Sequence, residues 1–286
     1  MLKTVFFGTP DFVRPIIDTL HQQTTLLAIL TTPDEPSGRH QTRTSPPTKK
    51  VGDELNIQVI QIDTFTPEII EKLHQLEPDL FVVAAYGKII PESVLKVPKY
   101  GAINIHPSLL PKYRGASPIQ AAILAGDTET GVTIIQMDEK MDHGPILLQE
   151  TYSLTHSDTL DSLHKTLFSK ASTMLPEAIK QIETNALNPK EQNHSDATFC
   201  KIIHKDDAFI DPENLPSKQQ IDRMIRAYYP WPGVWTNAMI HGEKKRIKFF
   251  PENEVQLEGK KQMGMKEFVN GYPELREFLT SFLVSD

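Results

Sequence analysis

The sequence predicts an α/β protein with a doubly wound, mostly parallel sheet, followed by a smaller β-rich domain. Three observations lead there. Short β-prone apolar runs alternate with helical patterns through the first half of the chain. The stretch Asp79 to Ala85 (DLFVVAA) is apolar almost throughout, as in strands buried on both faces of a parallel sheet. After an aperiodic, Asn-rich segment from Thr184 to Ser195, one helix is surrounded by short β-prone runs and Gly-Pro turns, a pattern suited to a small barrel.

Taken in order, Thr4 to Phe7 reads as a strand ending at Gly8, and Pro10 opens a helix with apolar residues at Phe12, Ile16, Ile17 and Leu20. The intervening GTPDF turn is neither a dinucleotide fingerprint nor a Walker loop, so a nucleotide cofactor is not expected. Leu26 to Leu30 is the second strand. The insert Pro33 to Lys50, with four prolines and four basic side chains, has no internal periodicity and reads as a structureless, functional or mobile loop. Val59 to Ile62 is a strand and Pro67 to Leu76 a helix. The buried run ending at Ala85 leads into Tyr86-Gly87-Lys88-Ile89-Ile90-Pro91, where Gly87 suits a left-handed turn. Strands at Asn104 to His106 and Val132 to Met137 extend the sheet, and Ile146 to Leu154 is expected at its edge. Ser157-Asp158 caps a helix from about Thr159 to Glu183, bent or broken before Pro176. Domains are expected at 1–185 and 204–286 with a linker at 186–203. In the second, Ser217 to Ala227 is helical, Val234 to Ile240 and Arg246 to Phe250 are strands, and Trp231 and Trp235 are core candidates.

The chemistry concentrates between Gly101 and Pro118 (GAINIHPSLLPKYRGASP). Asn104 and His106 lie two apart on a strand and therefore share a face. Pro107 then ends the strand and opens a loop, the position where open α/β sheets bind ligands. A lone Asn is ordinarily a satisfied amide and a lone His ordinarily a surface or core residue. Side by side at a strand end, they supply an oxyanion donor and a proton-handling group within reach of one carbonyl. Asp142, just after the Val132 to Met137 run, adds a carboxylate able to orient or to take a proton.

NIHPSLLPKYRGASPIQ together with GVTIIQMDEKMDHGPIL resembles the folate-dependent formyltransferases, over nearly the whole chain. FFGTPDFV, TTPDEPSGR, CKIIHKDDAFID and IRAYYPWPGVWT resemble the methionyl-tRNA branch of that family. The resemblance implies a Rossmann-like formyltransferase fold followed by an OB-like barrel, shortened between Phe250 and GKKQMGMKEFVNGYPE. It implies 10-formyltetrahydrofolate as co-substrate and the α-amino group of initiator methionyl-tRNA as acceptor, with Asn104, His106 and Asp142 catalytic. Folate contacts are implied at Tyr86, Gly87, Ile89, Ser108, Leu109, Leu110, Pro111, Met137 and Asp138. The Pro33 to Lys50 loop is implied to grip the tRNA acceptor stem, with Arg39 on the characteristic basic position. The other tRNA-binding candidates are Arg43, Lys49, Lys50, Lys112, Arg114, Lys244, Lys245, Arg246 and Lys248. In the implied reaction Asn104 and a protonated His106 stabilise the tetrahedral oxyanion, and Asp142 supports the charged imidazole and takes the ammonium proton.

Composition bounds these expectations. A net charge of −7 weighs against nucleic-acid binding by overall charge and leaves that role to local basic clusters. The single cysteine, Cys200, excludes an internal disulfide, and the ten histidines lack paired-ligand spacing, so no metal is inferred. No stretch of about 18 apolar residues occurs, and the chain starts directly into a strand; a cytoplasmic, membrane-free monomer is expected. Three alternatives remain: formyl transfer to a sugar-nucleotide amine or a ribonucleotide amine, hydrolysis of formyltetrahydrofolate, and RNA binding by a scaffold without catalysis.

Overall fold

The computed structural model describes residues 1–37, 42–280 and 282. Strands β1 (Lys3–Phe7), β2 (Thr25–Thr31), β3 (Glu35–Ser37), β4 (Thr42–Thr44), β5 (Gln58–Gln61), β6 (Leu80–Val83), β7 (Ala102–His106), β8 (Arg114–Gly115), β9 (Glu129–Gln136) and β10 (Ile146–Ser153) follow one another along the chain. Seven of them form a sheet in the order β10-β9-β7-β6-β1-β2-β5. Pairings from β5 across to β7 are parallel, and β7 pairs antiparallel with β9. β10 and β5 are the edge strands.

The β6 sequence LFVV is buried at all four positions, which accounts for its unbroken apolar run. Phe7 packs against Phe81 with ring centroids 4.9 Å apart and edge-on against Tyr86 at 5.5 Å, so the core reaches the C-terminal ends of the central strands. One flanking helix begins where its capping residue places it. Thr66 caps Pro67–Gln75 by accepting from the Ile69 N–H at 3.4 Å, with Pro67 in the first turn.

Two expectations are corrected here. The 33–50 insert is not structureless: β3 and β4 form a hairpin pairing Glu35 with Thr44 and Ser37 with Thr42, and a helix starts at Pro47. That helix is anchored by Thr48, whose buried hydroxyl donates to Gly8 O at 2.9 Å and meets Thr31 Oγ1 at 2.8 Å. Residues 38–41, which include Arg39, lie outside the described residues. The long helix Leu160–Glu183 runs unbroken through Pro176. Proline lacks the N–H that would bond to Ser172 O, and the Thr19 hydroxyl donates to that carbonyl instead, at 3.4 Å.

The chain divides into two compact units interleaved in sequence: Met1–Gly115, Thr130–Tyr152 and Lys165–Phe199 in one, Ala116–Glu129, Ser153–His164 and Cys200–Asp286 in the other. After the short strand β11 (Phe199–Cys200), the second unit holds β12 (Val234–Ile240), β13 (Glu243–Phe250), β14 (Glu254–Leu257) and β15 (Met263–Gly264) in an open antiparallel sheet. No closed barrel forms among the described residues. β14 and β15 have only four and two residues before the chain turns into the helix Met265–Gly271, which leaves too little strand to close a ring. Helix Lys218–Ala227 packs on helix Pro118–Ala125 in this unit and starts in a Ser217/Gln220 capping box. Trp231 is 58% exposed, contrary to the core expectation, whereas Trp235 is half-buried beside Phe209. Among the described residues no helix is long and apolar enough to cross a membrane.

Candidate active site

β7 lies inside the sheet, with Asn104 beside Val83 of β6 and Ile135 of β9. Strand alternation puts Asn104 and His106 on one face, and the chain returns through the 138–144 turn to bring Asp142 against them. Asn104 Nδ2 donates to Asp142 Oδ1 at 3.1 Å, and His106 Nδ1 is 3.6 Å from the same oxygen. The second carboxylate oxygen accepts the Gly115 backbone N–H at 2.8 Å. His106 is 4% exposed, and its Nε2 lies 2.9 Å from Tyr113 O. A carbonyl can only accept, so Nε2 carries a proton and Nδ1 is the ring atom that faces Asp142.

The turn bearing Asp142 is held from behind. Gln192, buried, donates from Nε2 to Asp142 O at 2.9 Å and to Gly144 O at 2.7 Å. Its Oε1 accepts from Arg114 Nε and from an Arg114 terminal nitrogen at 3.2 and 2.7 Å. Gly144 is required by close approach, since a Cβ there would lie 1.9 Å from Gln136 O. This assembly of one amide donor, one imidazole and one positioned carboxylate suits addition of a nucleophile to a carbonyl.

A formyl transferase family profile matches residues 2–179, and a profile for the formyl transferase C-terminal domain matches residues 202–255. The chain belongs to the formyl transferase family. A methionyl-tRNA formyltransferase of Geobacter metallireducens is 32% identical over 303 residues, covering 94% of this chain and 96% of that protein. One from Legionella pneumophila is 43% identical over 239 residues, covering 83% and 76% respectively. An N-formyltransferase from Helicobacter canadensis, solved in complex with folinic acid and dTDP-3-aminofucose, shares the fold with a TM-score of 0.63 at 19% identity, covering 90% of this chain and 95% of its own. This formyl transferase is therefore an enzyme.

The expected folate-contacting residues of this formyl transferase occupy different environments. Tyr86 sits in the core; its hydroxyl is buried with no partner among the described residues, and burial, with the Asp63 charge second, pushes the phenol up to about 12. Gly87 has φ +80° and open space where a side chain would project, and Ile89 is 87% exposed. The Ser108 hydroxyl is spent on Lys112 O at 2.7 Å, while Leu110, before a cis Pro111, is buried and Leu109 half-buried. Met137 packs on the core, and Asp138 Oδ2 is 2.6 Å from His143 Nδ1.

The expected tRNA-binding residues separate more sharply. Arg114 is corrected: it is 3% exposed and committed to Gln192 and to His194 Nδ1, 2.9 Å away, so it is not a surface phosphate contact. Arg43, Lys50 and Lys112 are exposed, and Lys49 pairs with Asp53 at 2.9 Å. Along β13 of the second unit, Lys244, Arg246 and Lys248 share one face, whereas Lys245 alternates with buried Ile247 and Phe249 and pairs with Glu243 at 2.9 Å. The Arg246 guanidinium lies over Trp235, 4.5 Å from the ring centroid. Reasoning from sequence missed Gln192, the Tyr113 carbonyl and the Gly115 N–H. No periodic pattern marks such contacts, and the only available signal was a Gln inside a polar segment.

Proposed function

We propose that this enzyme transfers the formyl group of 10-formyltetrahydrofolate to the α-amino group of initiator methionyl-tRNA, in support of translation initiation. The observation that carries the reading is the convergence of Asn104 Nδ2 and His106 Nδ1 on Asp142 Oδ1 at the end of β7. Methionyl-tRNA formyltransferases similar over most of the chain support the choice of acceptor.

The roles follow from the donor inventory. Asn104 gives one N–H to Asp142 and has a second for the formyl oxygen as it becomes an oxyanion. His106 has Nε2 committed to Tyr113 O, so its contribution comes through Nδ1, which in the imidazolium form is a charge-assisted donor. A donor of this kind contributes roughly 3 kcal/mol of barrier reduction. The amine attacks the formyl carbon as the neutral base; an α-amino group with a pKa of about 7.7 to 8.0 is partly neutral at physiological pH. Asp142 accepts the ammonium proton, directly or through water; the oxyanion then re-forms the carbonyl as the C–N bond to folate breaks, and the departing nitrogen takes up that proton, directly or through water, to leave as tetrahydrofolate. No covalent enzyme intermediate and no metal are needed.

The folate would lie along Tyr86 to Ile89, Ser108 to Pro111, Met137 and Asp138. The Tyr86 hydroxyl, buried without a partner among the described residues, the open space beside Gly87 and the exposed Ile89 support that assignment. For the acceptor, Arg39, Arg43, Lys49, Lys50 and Lys112 would serve the stem, and Lys244, Lys245, Arg246 and Lys248 would serve phosphates further along. The functional division remains 1–185, 186–203 and 204–286, with the open C-terminal sheet as a shortened OB-like domain in a cytoplasmic monomer.

The test is incubation with 10-formyltetrahydrofolate and either initiator or elongator methionyl-tRNA, with free methionine as control. Formylmethionyl-tRNA should appear with the initiator and not with free methionine. Release of formate without any acceptor would favour the hydrolase reading, and no folate turnover at all would favour the RNA-binding one.

A further inference from the structure

We infer that Gln192 and Thr198, in the segment expected to be only an interdomain linker, are positioning residues that hold Asp142 and His106 in reacting geometry. The inference rests on the proposed roles of Asn104, His106 and Asp142.

Two residues that shape the site have left-handed backbones without being glycine: Asp142 at φ +50° and Tyr113 at φ +60°. Such conformations are uncommon for these residues and persist where the surroundings over-determine them. Each is gripped by one end of the same short segment.

At the first end, the Gln192 amide spans the Asp142 turn, donating to Asp142 O and Gly144 O at 2.9 and 2.7 Å. Arg114 fixes which way round the amide lies. Its two donors meet Gln192 Oε1, so a flipped amide would set N–H against guanidinium and oxygen against two carbonyls. On the other side the turn is pressed onto β9, where Gly144 leaves no room for a side chain over Gln136 O. Asp142 is thus clamped through its backbone, while its carboxylate is left to Asn104, His106 and the Gly115 N–H.

At the second end, Thr198 Oγ1 accepts the Tyr113 N–H at 2.8 Å, Thr198 N donates to Pro111 O at 3.3 Å, and Thr198 O accepts from Arg114 N at 2.8 Å. The Tyr113 carbonyl oriented in this way is the acceptor of His106 Nε2. Thr198 therefore sets the ring position and tautomer of a histidine that it does not touch. Between the two ends, a single turn at His194–Asp196, capped by Asn193, fixes the spacing, and His194 stacks on His143 with centroids 4.0 Å apart and planes 7° from parallel.

The test compares Gln192→Met, Thr198→Val and Thr198→Ser in the full chain, alongside His106→Ala and Asp142→Asn, with kcat, KM for 10-formyltetrahydrofolate and the thermal midpoint measured for each. Gln192→Met keeps the side-chain length and removes both donors. It should lower kcat about 10- to 100-fold, because misplacing a reacting group by about 1 Å costs up to 10²-fold, while KM for the folate stays within about twofold. Thr198→Val should lower kcat in the same way, and Thr198→Ser, which retains the hydroxyl, should restore it. Thr198 is exposed, so this pair carries the test even if Gln192→Met does not fold. Folded Gln192→Met and Thr198→Val proteins with wild-type kcat, beside inactive His106→Ala and Asp142→Asn proteins, would overturn the positioning role alone. Full activity in the His106 and Asp142 variants would overturn the site assignment, and the positioning role with it.

Discussion

Two arginines show how differently this chain uses charge. Arg114 is buried in the first unit, with its guanidinium directed to Gln192 and His194. Arg246 is half-buried on β13 of the second unit, over the Trp235 ring, in line with the lysines Lys244 and Lys248. Around Arg114 the polar contacts are specific, so removing one partner leaves another unsatisfied. On β13 Lys244 is exposed and Lys248 half-buried, so each of these charges contributes little and salt screens it. Neighbours in sequence can fall on opposite sides of this divide: Lys112 is exposed, and Arg114, two residues later, is part of the scaffold behind the site.

That contrast predicts a graded response to mutation. The largest effect belongs to the trio. His106→Ala should lower kcat by at least about 100-fold with folding intact, and Asp142→Asn should be nearly inactive without recovery at higher pH. A folded His106→Ala enzyme turning over normally would remove the site from the comparison altogether. Next is Gly144→Ala. Its methyl group would meet Gln136 O, so the turn must shift, costing about 1 to 3 kcal/mol of stability and part of kcat. A variant with the wild-type midpoint and rate would show that the turn is not pinned against β9.

The basic strand should respond in another currency, ionic strength. Replacing Lys244 and Lys248 by Gln should flatten the log-log salt dependence of tRNA binding by up to about 0.9 per lost phosphate contact. Lys245→Gln, on the opposite face and paired with Glu243, should change it less. Equal changes from both faces would mean that strand geometry does not select the contacts.

The smallest expected effect is a pH dependence of stability. Desolvation, then the charges of His143 and Arg114, hold the His194 imidazole below its ordinary value. The folded protein therefore resists a proton that the unfolded chain accepts as pH falls through about 6.5, so His194 lowers stability on the acid side and ceases to do so above that range. His194→Gln should flatten the thermal midpoint against pH on the acid side of 6.5; an unchanged profile would assign the acid response to other groups.

Much of the fold was legible because local physics writes it into residue order. The apolar run at β6, the alternation carrying Asn104 and His106, and the helix ending at Ala227 each depend on neighbours within a few positions. The pairing of β3 with β4 was not legible, because Pro36 within β3 suits an edge ribbon as well as a loop. The unbroken helix through Pro176 was not legible either, since its compensation comes from Thr19, more than a hundred residues away.

By itself, the sequence supplied the candidate side chains: strand period and a proline stop put an amide and an imidazole on one face at a sheet end, and the place of Asp142 just after the apolar run Val132 to Met137 added a carboxylate. Only the tertiary structure decided which polar groups stand behind those side chains. It buried Arg114, turned Gln192 onto the Asp142 backbone and set Thr198 under Tyr113. The physical reason is range. Periodicity and capping arise from steric and hydrogen-bonding rules between near neighbours, whereas a hydrogen bond between residues 50 or 85 positions apart depends on where the whole sheet has carried each of them.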